Sequence, residues 1–439
     1  MEAKLKFDRI KKIAVEIARV VLGVTFMFSG FVKAVDPWGT AYKIEDYLLA
    51  FDLSFFSFLA FPISAGLCIM EFMLGAFMLF GLYRVWTSRL LLAVMCFMTP
   101  LTLYLAIANP VSDCGCFGDF LIISNWETFY KNIVLLLCAI VTVIYSERIR
   151  NIFTGKTYWI AFLFIIVFSI GFVMRNYIYE PILDFRPYHV GADIKEGMKV
   201  EEGKESIEES ILVYAKDGVE EEFTEDNYPW EDSTWVFVRM DTRVVKEGVR
   251  PKIDNFEITQ LIFNNSRKEL LKQEDITEEV LTDSNYTFLV VSPSLKKLNE
   301  NYLSNVEDIE YYAKMNGYKF YVLTASVEEE IVSFVEENSV RFDFCLMDDR
   351  VLKTMARTNP AILLLKDGIV VNKWADIEIP QEEELTASLD TLPLGQMIDI
   401  KKEDKFNLIT ISIMFFVPLL LLKIFDFYAF RRKKQEPES

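Results

Sequence analysis

The stretch LAFPISAGLCIMEFMLGAFMLFGLY, Leu59 to Tyr83, decides the architecture of this chain. A helix needs about 20 consecutive apolar residues to cross roughly 30 Å of bilayer hydrocarbon. This run supplies them with a single acidic or basic side chain, Glu71. A charge at that depth costs roughly 2.5 to 3.5 kcal/mol even on the lenient insertion scale. Glu71 is therefore expected to be protonated or paired inside a helical bundle, with Arg19 of the preceding span as the candidate partner. Two roles stand open to it: a functional intramembrane carboxyl, and a structural hydrogen bond between helices.

Working outward, five further runs reach comparable length: Ile13–Val35, Leu90–Ala108, Trp126–Tyr145, Tyr158–Tyr177 and Phe406–Tyr428. The composition agrees, with 52% hydrophobic residues and 37 phenylalanines beside an ordinary 25% of charged residues. That mixture describes a chain part membrane and part soluble. The polar stretch between Tyr177 and Phe406 has to lie outside the bilayer. The first apolar run exceeds a signal-peptide core and lacks a small-residue cleavage site, so it reads as a retained helix.

Basic residues near span ends are kept in the cytoplasm. Lys4, Lys6, Arg9, Lys11 and Lys12 precede the first span; Arg84 and Arg89 follow the second; Arg148, Arg150 and Lys156 follow the fourth; and RRKK, Arg431–Lys434, ends the chain. The connection NPVSDCGCFGDFLIISNWE has none. The expected protein is a multi-pass inner-membrane protein with both termini cytoplasmic, its large domain and the CGC loop periplasmic. The net charge of −18 and the acidic runs VEEGKESIEES, DGVEEEFTED and PQEEEL argue against nucleic acid as a partner, and membrane lipid is expected around the spans. Those runs read as solvated surface.

Within the first span, Gly23, Ser29 and Gly30 permit close approach of a second helix. DPWG, Asp36–Gly39, ends that span, and TAYKIEDYLLAF suits a short helix on the membrane surface. Ser124 and Glu127 have the spacing of a capping box and mark the start of the fourth span. Beyond Pro181, DFRPYHVGADIKEGM reads as an extended connector. Hairpins are expected about Lys216-Asp217-Gly218 and about Asp241-Thr242, giving a small β-rich subdomain. From Tyr286, the strand-like runs YTFLVVS, KFYVLTA, FDFCLM and AILLLK alternate with helical stretches near 298–315, 328–337 and 350–357, which implies a sheet covered by helices. A hairpin about Lys366-Asp367-Gly368 and a closing helix over PQEEELTASL complete the pattern.

Cys114 and Cys116 are the chemistry-bearing residues. Disulfide formation needs Cα atoms about 4.4 to 6.8 Å apart, which an i, i+2 pair meets only in a bend of the kind Gly115 allows. Such a ring is strained and easily reduced, which favours an exchangeable pair. Asp113 and Asp119 argue the other way, since nearby carboxylates raise a thiol pKa. Three readings stay open: a redox pair, a structural turn or disulfide, and a metal site. The last is weakest, because zinc ordinarily takes four ligands and the only histidine, His189, lies in the connector. Cys68, Cys96 and Cys138 within spans, and Cys345 in an apolar strand, read as packing residues.

Two resemblances are carried by motifs. LG..F..SG..K..DP in the first span, Glu71 with Gly75 in the second, and DCGCFGD before the fourth resemble the DoxX/MauE superfamily of redox-associated four-helix membrane proteins, on the MauE side. That resemblance implies a role in disulfide formation or thiol-dependent maturation of exported proteins. Its DoxX side implies a quinone as possible cofactor. From Pro251 to Leu394, RPKIDNFEIT and TNPAILLLKDGIVVNKW resemble a thioredoxin or redoxin domain, which implies a cis peptide at Pro360. Where a redox-active member carries Cys-x-x-Cys, this chain reads SPSLKKLNENY, Ser292–Tyr302, so dithiol exchange at that position is excluded.

The resulting plan is a DoxX/MauE-like four-helix transmembrane domain (1–147), a fifth transmembrane helix (157–178), a connector with a β-rich periplasmic subdomain (179–250), a thioredoxin-like periplasmic domain lacking CxxC (251–398), a C-terminal transmembrane helix (405–430) and a basic cytoplasmic tail (431–439). The expected function is a redox-associated accessory protein for thiol maturation, partnered by an exported client or a thiol oxidoreductase. The alternatives are a non-catalytic membrane scaffold or complex subunit, and a quinone-linked sulfur oxidoreductase.

Overall fold

The computed structural model describes residues 2–111, 113–200, 207–216, 219–224, 235–246, 251–264 and 270–431. The Asp217-Gly218 turn and parts of the acidic runs at 200–210 and 217–226 lie outside those residues, as does the tail beyond Arg431.

Among the described residues, six helices are long and apolar enough to cross a membrane. Helix α1 (Glu2–Val35) is followed by α2 (Pro37–Ala50), α3 (Ala60–Phe80), α4 (Arg84–Ala108), α5 (Asn125–Ile144) and α6 (Tyr158–Ile178). Only α2 among these is not a span. Asp36 does more than end α1: its carboxylate accepts from the Gly39 amide and caps α2, with Pro37 at the first helical position. Ser124 and Glu127 form the expected capping box on α5.

Helices α1 and α3 touch backbone to backbone. A Cβ on Gly30 would sit 2.2 Å from the Phe72 amide nitrogen, and one on Gly75 2.2 Å from that of Met27. In lipid, where burial of apolar surface gives no drive between helices, such close packing is what holds spans together. The glycines therefore set the separation at which α1 and α3 side chains meet across the bundle.

After the short helix α7 (Ile194–Gly197), strands β1 (Ile207–Lys216), β2 (Val219–Thr224) and β3 (Val236–Lys246) form an antiparallel sheet in the order β2-β1-β3. The expected hairpin about Asp241-Thr242 is not there. Both residues pair with β1 inside a single strand, Asp241 with Ile211 and Thr242 with Ser210, since no glycine or second turn former follows to reverse the chain.

The larger external unit contains β4 (Thr259–Phe263), β5 (Leu270–Asp275), α8 (Thr277–Leu281), β6 (Tyr286–Ser292), α9 (Leu303–Asn316), β7 (Lys319–Thr324), α10 (Glu328–Asn338), β8 (Phe344–Leu346), α11 (Asp349–Met355), β9 (Ala361–Lys366) and β10 (Ile369–Trp374). Among the described residues, its seven strands run in the order β10-β9-β6-β7-β8-β4-β5. Strands β6, β7 and β8 are parallel, and β9 is antiparallel to β6. Every residue of β6 is buried, because alternate side chains enter separate cores: Phe288 and Val290 on one face, Leu289 and Val291 on the other. Two covered faces explain its unbroken apolar run. The β9–β10 hairpin turns on Asp367 and Gly368, both at positive φ.

Two further expectations change. The connector is packed rather than merely extended: Arg186 and Tyr188 are buried, and Asp193 bridges to Ile369. The closing helix over PQEEELTASL shrinks to a single turn at Glu382–Glu384. Beyond it, the Ala387 carbonyl accepts from the Tyr312 hydroxyl and the Leu389 amide donates to that of Tyr318. Those backbone groups are satisfied by the domain, which replaces the helical ladder. Helix α12 (Ile400–Asp426) returns the chain through the membrane region, packing Phe415 among Phe72, Phe164 and Phe168.

Candidate functional site

The loop between α4 and α5 is built by small bonds that fix its two thiols. Asn125 donates to the Val111 carbonyl and to the Asn109 side chain. Gly115 takes φ +66°, a conformation costly for any residue with a Cβ, and its amide donates to Asp113. The bend brings Cys114 Sγ and Cys116 Sγ to 3.1 Å, a thiol–thiol hydrogen bond. Both cysteines are half-buried.

Helix α2 covers the loop from one side. Tyr47 donates to the Cys114 carbonyl at 3.0 Å, and Lys43 pairs with Asp113 at 2.5 Å. From the bundle side, the Ser29 hydroxyl contacts both the Cys116 carbonyl at 2.7 Å and the Glu71 carboxylate at 2.8 Å. Glu71 thus stands below the thiol loop, one serine away. Its cationic partner is Lys33, with Nζ 2.7 and 2.8 Å from the two carboxylate oxygens. This corrects the assignment to Arg19, which binds Glu16 and the Met78 and Leu79 carbonyls instead. Lys33 stands four residues from Ser29, so α1 presents both groups on one face, whereas Arg19 lies more than two turns further from the loop.

The thiols titrate apart. The hydrogen bond from Cys114 lowers the Cys116 pKa against the effect of burial, and the ammonium groups of Lys131 and Lys33 act in the same direction. Cys114 moves up, because it donates to Cys116 and because it is buried. The carboxylates expected to suppress a thiolate are engaged elsewhere: Asp113 by Lys43, and Asp119 toward Arg357 at 3.9 Å.

A buried ion cluster joins this loop to the external unit. Arg357, which follows α11, holds Asp36 at 2.8 and 2.6 Å, and its amide donates to Glu180. Arg186 binds Glu180 and Asp184, and Lys373 binds Asp184. Burial pushes Asp36 and Asp184 up, yet the cations outweigh it and hold both below the usual carboxylate range. Asp119, partly open to solvent, ends higher than usual through partial desolvation reinforced by Asp36.

On the far side of α2, a cleft of about 600 Å³ opens between Trp38 and Tyr42 and the external unit. Its outer wall includes Pro293 and Ser294 after β6 and Thr358 and Asn359 before Pro360. The Asn359–Pro360 peptide is cis. The cysteine-free segment and the cis-proline turn therefore face α2, whose other residues hold the thiol loop.

The remaining thiols stand apart. Cys68 and Cys345 are buried, Cys138 is half-buried and Cys96 is on the outer surface of α4. His189 bonds the Val190 carbonyl in the connector. Among the described residues, no three His, Cys, Asp or Glu side chains are grouped to hold a metal ion.

Sequence reasoning had no role for Lys33 or Lys131. The signal for Lys33 was its position as the sole base in the second half of the first span, one α1 face from Ser29. Lys131 was hidden because nothing local ties it to a loop ending several residues earlier.

A helical membrane region carrying a thiol loop, joined to a separate α/β unit, defines a multi-pass membrane protein. Residues 11–145 match the family described as methylamine utilisation protein MauE. Residues 208–247 match a family described as a domain of unknown function, DUF8463. No curated protein and no solved structure matches the chain.

Proposed function

We propose that this protein is an inner-membrane accessory factor for thiol–disulfide maturation of exported proteins, with Cys114 and Cys116 as its exchanging pair. A membrane accessory role fits the MauE match over residues 11–145. The observation that carries the redox part is the pair itself: two half-buried thiols 3.1 Å apart, one of them moved toward the thiolate. A thiolate is what attacks a disulfide. Both termini are assigned to the cytoplasm, and the thiol loop and external unit to the periplasm, on the distribution of basic residues.

The external unit, residues 251–398, is read as a thioredoxin-like docking module without its own dithiol. What supports this is the parallel β6–β7 pair, the antiparallel β9–β10 hairpin beside it and the cis-proline turn facing the position after β6. A partner oxidoreductase or client seated in the cleft would stand on the opposite side of α2 from the thiols.

Replacing both cysteines with serine tests the proposal. The thiol states of exported proteins, trapped by acid quench and mass-tagged, are expected to shift toward the reduced form. Unchanged client oxidation with normal protein levels would remove the redox role and leave a scaffold.

A further inference from the structure

We propose that Lys131 is the positioning residue that makes Cys116, rather than Cys114, the attacking thiolate of the pair. The assignment rests on the exchange reading above and goes beyond it by fixing which sulfur attacks and what tunes it.

The geometry begins on α5. Lys131 lies one residue before buried Asn132 and three after buried Thr128, which turns it toward the loop side of the helix. Its ammonium rests 4.4 Å from the ring centroid of Phe117, the residue following Cys116. A cation over an aromatic face is held electrostatically without neutralising its charge. Lys131 forms no ion pair among the described residues, so its charge is not spent on a carboxylate.

The other charged groups around Cys116 are already matched. From α1 comes Lys33, bonded to both oxygens of Glu71 on α3. From α2 come Tyr47, bonded to the Cys114 carbonyl, and Lys43, paired with Asp113. Asp119, three residues on, faces Arg357. Lys131 is the cation in this set with no anionic partner, and it acts on Cys116 together with the hydrogen bond from Cys114. Position and charge thus select the second cysteine against the opposing effect of its burial, while Cys114 keeps its proton.

The exchange step balances as follows. Cys116 thiolate attacks one sulfur of a partner disulfide, forming a mixed disulfide and expelling a partner thiolate. That thiolate takes the Cys114 proton; Cys114 then attacks Cys116 Sγ and expels the second partner thiolate, which is protonated from water. Two electrons pass from the cysteine pair to the partner disulfide, and the reverse sequence oxidises a partner dithiol.

The test is the pH profile of iodoacetamide alkylation on the full chain in detergent, with modified sites located by mass spectrometry. In the wild type, Cys116 is expected to react first, with a midpoint below that of an ordinary thiol, because the hydrogen bond from Cys114 and the charges of Lys131 and Lys33 lower it. Removing one nearby charge with Lys131→Met is expected to move that midpoint up by about one pH unit, and Lys131→Arg to keep it in place. Lys131→Gln serves as a second neutral variant should the methionine disturb folding. An unshifted midpoint in both neutral variants, or Cys114 reacting first in the wild type, overturns the assignment. If instead the serine pair leaves exported thiols unchanged while the midpoint shifts as stated, the maturation role fails and the Lys131 assignment stands.

Discussion

Breaking the Lys33–Glu71 pair should be far more damaging than removing it whole. Both side chains are only 7% exposed, and Glu71 is held by two contacts from Lys33 and one from Ser29. Leaving one member of a buried pair without the other costs about 3 to 5 kcal/mol, whereas replacing both with packed apolar groups is often neutral or stabilising. Lys33→Met and Glu71→Met are each expected to lose about 3 to 5 kcal/mol. The double variant is expected within about 1 kcal/mol of wild type, since Ser29 keeps the Cys116 carbonyl as acceptor. Unfolding of the full chain in mixed micelles of mild and denaturing detergent, followed by tryptophan fluorescence, measures all four corners of the cycle. Coupling shows as a double variant much more stable than the sum of the singles. Strict additivity would refute the claim that these two side chains form one energetic unit, and would make Glu71 a hydrogen-bonded carboxyl independent of Lys33.

Three further outcomes follow from the geometry. Arg357→Leu strands Asp36 at the junction while the backbone bond to Glu180 persists, so limited proteolysis should cut more readily around residues 179–193 while the spans stay intact; unchanged cleavage would show that the junction does not depend on this guanidinium. Gly75→Val places side-chain atoms against the Met27 amide, where a Cβ already falls at 2.2 Å, and should abolish folded, monodisperse protein, whereas Gly66→Ala, with nothing within 4 Å, should be silent. Partial desolvation and the nearby Asp36 carboxylate raise the pKa of the part-exposed Asp119 in the folded state, so its ionisation opposes folding as pH rises through the carboxylate range. Asp119→Asn should therefore be neutral or mildly stabilising at pH 7 and should flatten that part of the stability profile; a loss of stability at pH 7 would show that the carboxylate is instead an essential partner of Arg357.

What the sequence disclosed, and what it hid, divides by how far the deciding interaction reaches. Spans are decided by a local run of apolar residues, so Leu59–Tyr83 could be read directly, as could the Ser124–Glu127 cap and the Lys366–Ile369 hairpin, each closed within a few residues. The Asp241-Thr242 reversal failed because a continuous partner strand, β1, keeps the chain extended on both sides of those residues. The helix at 380–389 failed because hydroxyls from Tyr312 and Tyr318, some seventy residues away, take its backbone groups. Within the site, the cysteines were legible as a spacing, but their electrostatics were not: Asp113 and Asp119 look suppressive until Lys43 and Arg357 are brought against them by α2 and by the external unit. The choice between Arg19 and Lys33 turns on depth in the bundle. A basic residue can answer Glu71 only if α1 and α3 set it at the same level, and the Gly30–Phe72 contact fixes that level near the loop. The same glycine contact that holds the two spans together thus decides which basic residue meets the carboxylate, and through Ser29 it anchors the carbonyl of Cys116.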